Sequence, residues 1–165
     1  ATFRATGQTG ILISGAGVAI DAVVADFIAG AAEQLSPANA PDHWDIIEGQ
    51  GSLLHPSYAG VSLGLLHGSQ PDAMVLCHDP ARLHIEDHPA FPIPPLEEVM
   101  DLHLRHARRV NPASRFVGIA LNTSRLPADE AAGLLDDTAR RHGLPAVDPL
   151  RSDLAPLIRL ALSPP

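Results

Sequence analysis

A chain of 165 residues that is 45% hydrophobic and 18% charged is long enough for one domain with a real core and too apolar to be disordered. Its net charge of −8 at pH 7 and isoelectric point near 5.4 argue against a nucleic-acid or anionic-membrane surface, which would need a basic face. The single cysteine, Cys77, excludes an intrachain disulfide and fits a reducing, cytoplasmic setting, and no apolar run reaches the ~18 residues of a membrane span.

The chain opens Ala1-Thr2-Phe3-Arg4, without Met and in what reads as the middle of a strand, so a piece of a longer protein is expected. Thr2–Ala5 is that strand. Thr6-Gly7-Gln8-Thr9-Gly10 reads as a polar glycine turn, Ile11–Ile13 as an apolar segment, and Ser14–Gly17 as a second glycine turn. Helical period begins near Ile20 or Asp21 and places Val23, Val24, Phe27, Ile28, Ala31 and Leu35 on one face. Ser36–Asp42, with two prolines, is a loop.

Trp44–Ile47 reads as a short strand buried on both faces, ending at Glu48 and the turn Gly49-Gln50-Gly51-Ser52. A carboxylate at a strand end, followed by glycines that let backbone approach a ligand, suits a magnesium–phosphate site; a plain strand end with an exposed Glu48 suits the same residues. A helix over Tyr58–His67 follows, with Gly60 and Gly64 giving one bare face for a sheet or a ligand. Ala73–Cys77 is a continuous apolar run, as in a buried parallel strand, closed by His78-Asp79-Pro80. Residues 79–95 form a proline-rich loop, of the length often used as a lid. Helices are expected over Leu96–Val110, Pro127–His142 and Leu154–Leu162, and strands over Phe116–Leu121 and Pro145–Asp148. Alternation of this kind gives a three-layer α/β fold, a parallel sheet with helices on both faces. Ile46, Ile47, Val75, Leu76, Val117 and Ile119 are the expected sheet core.

Every strand end carries polar groups: Thr6, Gln8 and Thr9; Glu48, Gln50 and Ser52; His78 and Asp79; Asn122, Thr123 and Ser124; Asp148. In a doubly wound sheet such ends share one edge, so Gln8, Glu48, Asp79 and Asn122 are expected to converge. No phosphate-loop motif ending in Gly-Lys-Ser/Thr is present, because all eleven basic residues are Arg. His84 and His88 lie four apart, but Glu86 between them fits neither zinc-hydrolase motif. His103 and His106 read as solvated, Cys77 as a small buried hydrophobe, and no Gly-x-Ser-x-Gly elbow occurs.

Ala5-Thr6-Gly7-Gln8-Thr9-Gly10-Ile11, Gly17–Val23 and Ile47-Glu48-Gly49-Gln50-Gly51-Ser52-Leu53-Leu54-His55-Pro56 resemble the DUF1611 family, as do Leu65–Ala73, Gly118–Ser124 and Gly143–Pro149. That family includes enzymes described as D-glutamate N-acetyltransferases. The resemblance implies a C-terminal P-loop domain similar to dethiobiotin synthase, here lacking the phosphate-loop strand, behind an N-terminal Rossmann-like domain. It puts Glu48 at a magnesium-associated carboxylate, Asn122 near a base, and Gln8 and Thr9 near phosphates or the acceptor.

Two activities follow as expectations. One is acetyl transfer from acetyl-CoA to the amine of D-glutamate. Glu48 or His55 would be the base, Gly49 and Gly51 N–H groups would serve the oxyanion, and Arg4 or Arg82 would pair with substrate carboxylates. The other is an ATP- and Mg2+-dependent ligase or kinase-like activity with Glu48 on the metal; a non-catalytic domain is the third reading. Thr6, Gln8, Thr9, Gly49, Gln50, Gly51, Ser52, Asp79 and Asn122 are the expected contacts to a small-molecule substrate or cofactor. No nucleic-acid or membrane partner is expected, and the full-length protein is expected to self-associate.

Overall fold

The computed structural model describes residues 1–164 as an α/β protein. Contacts divide the chain into two compact units, one of Ala1–Pro71 with Arg105–Pro112, the other of Asp72–Leu104 with Ala113 onward.

In the first unit, β1 (Thr2–Arg4) pairs in parallel with β2 (Asp45–Ile47), Phe3 opposite Ile46. α1 (Gln8–Ser14) follows β1 and stops at Gly15, whose φ of 75° is the left-handed conformation that glycine takes without strain. Two 3-10 turns, Ile20–Ala22 and Ala25–Phe27, lead into α2 (Ile28–Leu35), which packs on α3 (Ala59–Ser69). The core here is Ile20, Ile28, Ala32, Leu35 and Leu65, with Ile47 and Val61 against it. The two helices approach closely because Gly64 and Gly68 have no side chains. A Cβ at Gly64 would lie 2.5 Å from Ile28 Cγ2, and one at Gly68 would lie 2.7 Å from Ala29 Cα.

In the second unit, β3 (Ala73–His78), β6 (Arg115–Leu121) and β7 (Ala146–Val147) form a parallel sheet in the order β3-β6-β7. Val117, Ile119 and Leu121 of β6 are buried. α5 (Ala128–His142) packs on β7 and α6 (Ala155–Leu162) on β6. Arg115 donates to Leu160 O, Ala161 O and Ser163 O at 3.0, 3.2 and 2.5 Å, closing the end of α6, where a cation suits the macrodipole. α4 (Leu96–Ala107) begins in this unit, and its last turn groups with the first.

Several expectations are corrected. Gln8–Ser14 is a helix, not a turn and an apolar segment, because Gly10 is a packing glycine inside it. The helix foreseen from Ile20 is broken into 3-10 turns before Ile28, which leaves Val24 and Phe27 exposed. Ile46 is 57% and Val75 39% exposed. A continuous apolar run reads as buried on both sides, but successive strand side chains point to opposite faces, and on β2 only the Ile47 side meets the core. Cys77 is likewise exposed. The bare glycine face of α3 serves α2, through Gly64 and Gly68, whereas Gly60 meets nothing. The loop over 79–95 contains an antiparallel hairpin, β4 (His84–Ile85) with β5 (His88–Pro92), turned by Asp87 at φ 61°. His103 and His106 are half-buried, and His103 Nδ1 lies 2.8 Å from Val99 O.

Candidate functional site

Parallel pairing of β1 and β2 brings their carboxyl ends side by side, with the Glu48 N–H donating to Arg4 O at 2.9 Å. The Glu48 carboxylate turns back across the end of β1. Its Oε2 accepts the Thr6 N–H at 2.8 Å and the Gly7 N–H at 3.1 Å. The buried Thr6 hydroxyl donates to Glu48 O at 2.8 Å and accepts from Gln50 Nε2 at 2.8 Å. Thr6 is thus the shared partner: its N–H holds the Glu48 carboxylate, and its hydroxyl joins Glu48 O to the Gln50 amide. Gly10 makes it possible, since a Cβ there would lie 2.2 Å from Glu48 Oε2 and 2.8 Å from its carboxyl carbon. Glu48 Oε1 accepts no hydrogen bond among the described residues, so one oxygen of a rigidly held carboxylate is left for a ligand, a proton or a cation.

Thr6, Glu48 and Gln50 are therefore brought together, while the other expected residues of this unit are disposed differently. Gln8 Nε2 donates to both oxygens of Asp21, at 3.2 and 2.9 Å. Thr9 is exposed on α1. Gly49 and Gly51 are exposed with nothing within 4 Å of a Cβ built on either, so a ligand has room to reach their backbone. Ser52 Oγ accepts the Leu54 N–H at 2.9 Å. His55 Nδ1 accepts the N–H groups of Ser57 and Tyr58 at 3.1 and 3.2 Å, just ahead of α3, and its ring lies 4.6 Å from that of Tyr58. In a neutral ring so bonded the proton sits on Nε2. Arg4 is engaged by Asp45 at 2.7 Å. Burial alone would raise the Asp45 carboxyl, but Arg4 and then His43 hold it below the usual range.

In the second unit, Asp79 and Asn122 follow neighbouring strands, and the Asn122 N–H donates to His78 O at 2.9 Å. Burial lowers the His78 imidazole, against the pull of Asp79. Asp79 Oδ1 accepts the Ala81 N–H at 3.0 Å, and Oδ2 pairs with Arg125. Arg82 pairs with Glu86 at 3.1 Å. Beside them the buried Thr123 donates its N–H and its hydroxyl to the buried Asp148 Oδ2, and Leu150 N–H reaches Oδ1 at 2.9 Å. That pair is fully engaged and reads as structural.

Sequence reasoning missed Gly10 and Arg125. Gly10 carried a readable signal, a glycine six residues after a strand and inside a run long enough for a helix. Nothing in the sequence pairs Arg125 with Asp79. Among the described residues no cluster of three or more His, Cys, Asp or Glu side chains could hold a metal ion. One carboxylate oxygen of Glu48 fits magnesium only if phosphates and water supply the other ligands. A shallow groove along α2, lined by Val23, Phe27 and Ala31 among others, includes none of Thr6, Glu48 or Gln50. No described helix is long and apolar enough to cross a membrane.

A family model described as the DUF1611 domain of unknown function, P-loop domain, matches residues 1–158. The chain is 54% identical over 157 residues to a D-glutamate N-acetyltransferase of Tritonibacter scottomollicae, covering 95% of this chain and 47% of that protein. It is 52% identical over 158 residues to a D-glutamate N-acetyltransferase of a Pseudoalteromonas species, covering 94% and 47%. The crystal structure of a DUF1611 family protein from Anabaena variabilis superposes with a TM-score of 0.88 at 41% identity, over 98% of this chain and 48% of that one. The chain spans about half the length of the curated relatives it matches.

Proposed function

The chain belongs to the DUF1611 family, and from that premise we propose that it is part of a cytoplasmic N-acetyltransferase that moves the acetyl group of acetyl-CoA to the amine of D-glutamate. The observation that carries this reading is the similarity, at 54% and 52% identity along nearly the whole chain, to two proteins named for that activity. The held carboxylate of Glu48 supplies a matching chemistry. The ammonium of an amino acid must lose a proton before its nitrogen can attack the thioester carbonyl, and CoA thiolate then leaves. Glu48 Oε1 is the proton acceptor in this reading, while Oε2 stays fixed on the Thr6 and Gly7 N–H groups. The open backbone at Gly49 and Gly51 offers N–H donors to the oxyanion.

The P-loop description of the family model favours a second reading, an ATP- and Mg2+-dependent enzyme in which Glu48 Oε1 meets the metal. One experiment separates the two. The full-length protein is incubated with acetyl-CoA and D-glutamate, with and without Mg-ATP, and products are followed by mass spectrometry. Acetyl transfer predicts N-acetyl-D-glutamate and equimolar CoA without ATP. Product formation only with ATP, or no product from acetyl-CoA under either condition, contradicts it.

A further inference from the structure

Glycines that the fold requires are recognised by what a side chain would strike. A Cβ at Gly10, Gly17, Gly64, Gly68 or Gly118 would lie less than 3.0 Å from another atom. Gly7, between β1 and α1, is different. Its φ of −117° and ψ of 161° are extended backbone open to any residue. A Cβ there would meet Gln50 Nε2 at 3.6 Å, Glu48 Oε1 at 3.8 Å and Glu48 Oε2 at 3.9 Å, all ordinary contacts. Packing therefore does not demand glycine at this position. What the missing side chain leaves is a space bordered by polar atoms of two half-buried residues.

Both side chains are fixed, and each has a bonding group to spare. Glu48 Oε2 is held by the Thr6 and Gly7 N–H groups, and Oε1 accepts no hydrogen bond among the described residues. The Thr6 hydroxyl has a single proton, which it gives to Glu48 O at 2.8 Å, so from Gln50 it can only accept. That decides which way round the Gln50 amide sits. Nε2 faces Thr6, and the same nitrogen borders the space over Gly7. It carries two protons, and among the described residues only one is used, on Thr6 Oγ1 at 2.8 Å. An anionic acceptor and a neutral donor thus border one space, wholly within the first unit. That pairing matches the head of an α-amino acid, where an ammonium and a carboxylate sit on one carbon.

We propose that the missing side chain of Gly7 keeps open the seat of an amino-acid head group, with the amine donating to Glu48 Oε1 and the α-carboxylate accepting from the Gln50 amide. In the acetyl-transfer reading, on which this choice of ligand rests, the amine at Glu48 is the nucleophile and Gln50 holds the carbon that bears it. Gly7 is a specificity residue, because any side chain there would fill the seat. Gln50 is a binding residue.

The test uses the full-length protein as wild type, Gly7→Ala, Gly7→Val and Gln50→Met, each checked by circular dichroism and thermal melting. D-Glutamate and glutarate, which has the carboxylates but no amine, are titrated calorimetrically, and acetyl-transfer kinetics are run alongside. Wild type should bind D-glutamate about 10- to 100-fold more tightly than glutarate, the effect of one charge-assisted hydrogen bond to Glu48. Gly7→Val should lose that preference, with D-glutamate affinity down about tenfold or more, and Gly7→Ala should lose part of it. Gln50→Met should weaken both ligands by about 3- to 10-fold and keep the preference, because both carry the carboxylate. The KM for D-glutamate should rise in step while the KM for acetyl-CoA stays within about twofold. If Gly7→Val does not fold, Gly7→Ala, whose Cβ makes only ordinary contacts, carries the test. A wild type that shows this binding pattern but forms no N-acetyl-D-glutamate would sink the acetyl-transfer reading and leave the seat standing. D-Glutamate binding that is unchanged in the Gly7 and Gln50 variants, or absent from wild type, would overturn the seat. So would a loss confined to acetyl-CoA affinity.

Discussion

Replacing Gly10 with alanine tests directly how the Glu48 carboxylate is held. On helix propensity alone the change should help, because glycine inside a helix costs roughly 0.5–1 kcal/mol relative to alanine. Gly10 lies inside α1, and its φ is not in the positive range, so the backbone accepts a side chain. The opposing term is steric. The new Cβ would sit 2.2 Å from Glu48 Oε2 and 2.9 Å from Oε1, so the carboxylate must move. Moving it strains or breaks two hydrogen bonds to a charged acceptor, from Thr6 and Gly7. Each is worth roughly 1.5–3 kcal/mol. The loss outweighs the propensity gain, and a net destabilisation of about 2–4 kcal/mol is expected. Urea unfolding of wild type, Gly10→Ala, Glu48→Ala and the double variant forms a cycle. With Glu48 truncated there is no carboxylate to displace, so Gly10→Ala should become neutral or stabilise by about 0.5–1 kcal/mol. A Gly10→Ala effect of the same size with and without Glu48, or a stabilisation in the wild-type background, would show that Gly10 does not make room for the Glu48 carboxylate.

Three further outcomes are expected. The Thr123 hydroxyl bond, then the Leu150 and Thr123 N–H groups and Arg151, hold the Asp148 carboxyl below the usual range against the effect of burial. A folded-state pKa below the unfolded one gives stability that is full above the unfolded value, about 3.9, and is lost as pH falls through the folded value. Acid unfolding below about pH 4 should therefore be blunted in Asp148→Asn, which should also be less stable than wild type at pH 7 by urea melting; parallel pH profiles would count against this. Gly118→Ala would put a Cβ 2.6 Å from Leu157 Cδ1 and 3.2 Å from Pro145 O, so about 1–3 kcal/mol of stability should be lost, and less in a Leu157→Ala background. Arg115→Ala removes three bonds to the end of α6, and hydrogen exchange in Ala155–Leu162 should rise at least tenfold, against no change if that cap is idle.

How much of this was legible depended on where the information lay. β6, α4 and α5 are long, and their apolar period is unbroken, so the expected spans for them differ from the observed ones by only a few residues. The short elements failed where local propensity competes with tertiary contact. Thr6–Gly10 carries two glycines and reads as a turn, yet Gln8–Ser14 is helical, because Gly10 is there to admit the Glu48 carboxylate from 38 positions away. Likewise, the apolar period from Ile20 favours one long helix, but the chain breaks into two 3-10 turns before Ile28. Glu48 stood out as a carboxylate at a strand end. Its partners could not be read, because they are backbone N–H groups of Thr6 and Gly7 that depend on the register of β1 with β2. The local bonds of His55 were no more legible, since its Nδ1 accepts the N–H groups of Ser57 and Tyr58 at the turn ahead of α3.

In the proposed acetyl transfer, the free oxygen of Glu48 takes the proton of the acceptor amine. Glu48→Gln keeps the size of the side chain and a carbonyl oxygen for the Thr6 and Gly7 N–H groups but has no base. The measurement is kcat for N-acetyl-D-glutamate formation by full-length wild type and Glu48→Gln at saturating acetyl-CoA. A fall of about 100-fold or more, with an unchanged thermal melt, is predicted. A Glu48→Gln enzyme that folds and turns over within a few-fold of wild type would contradict it.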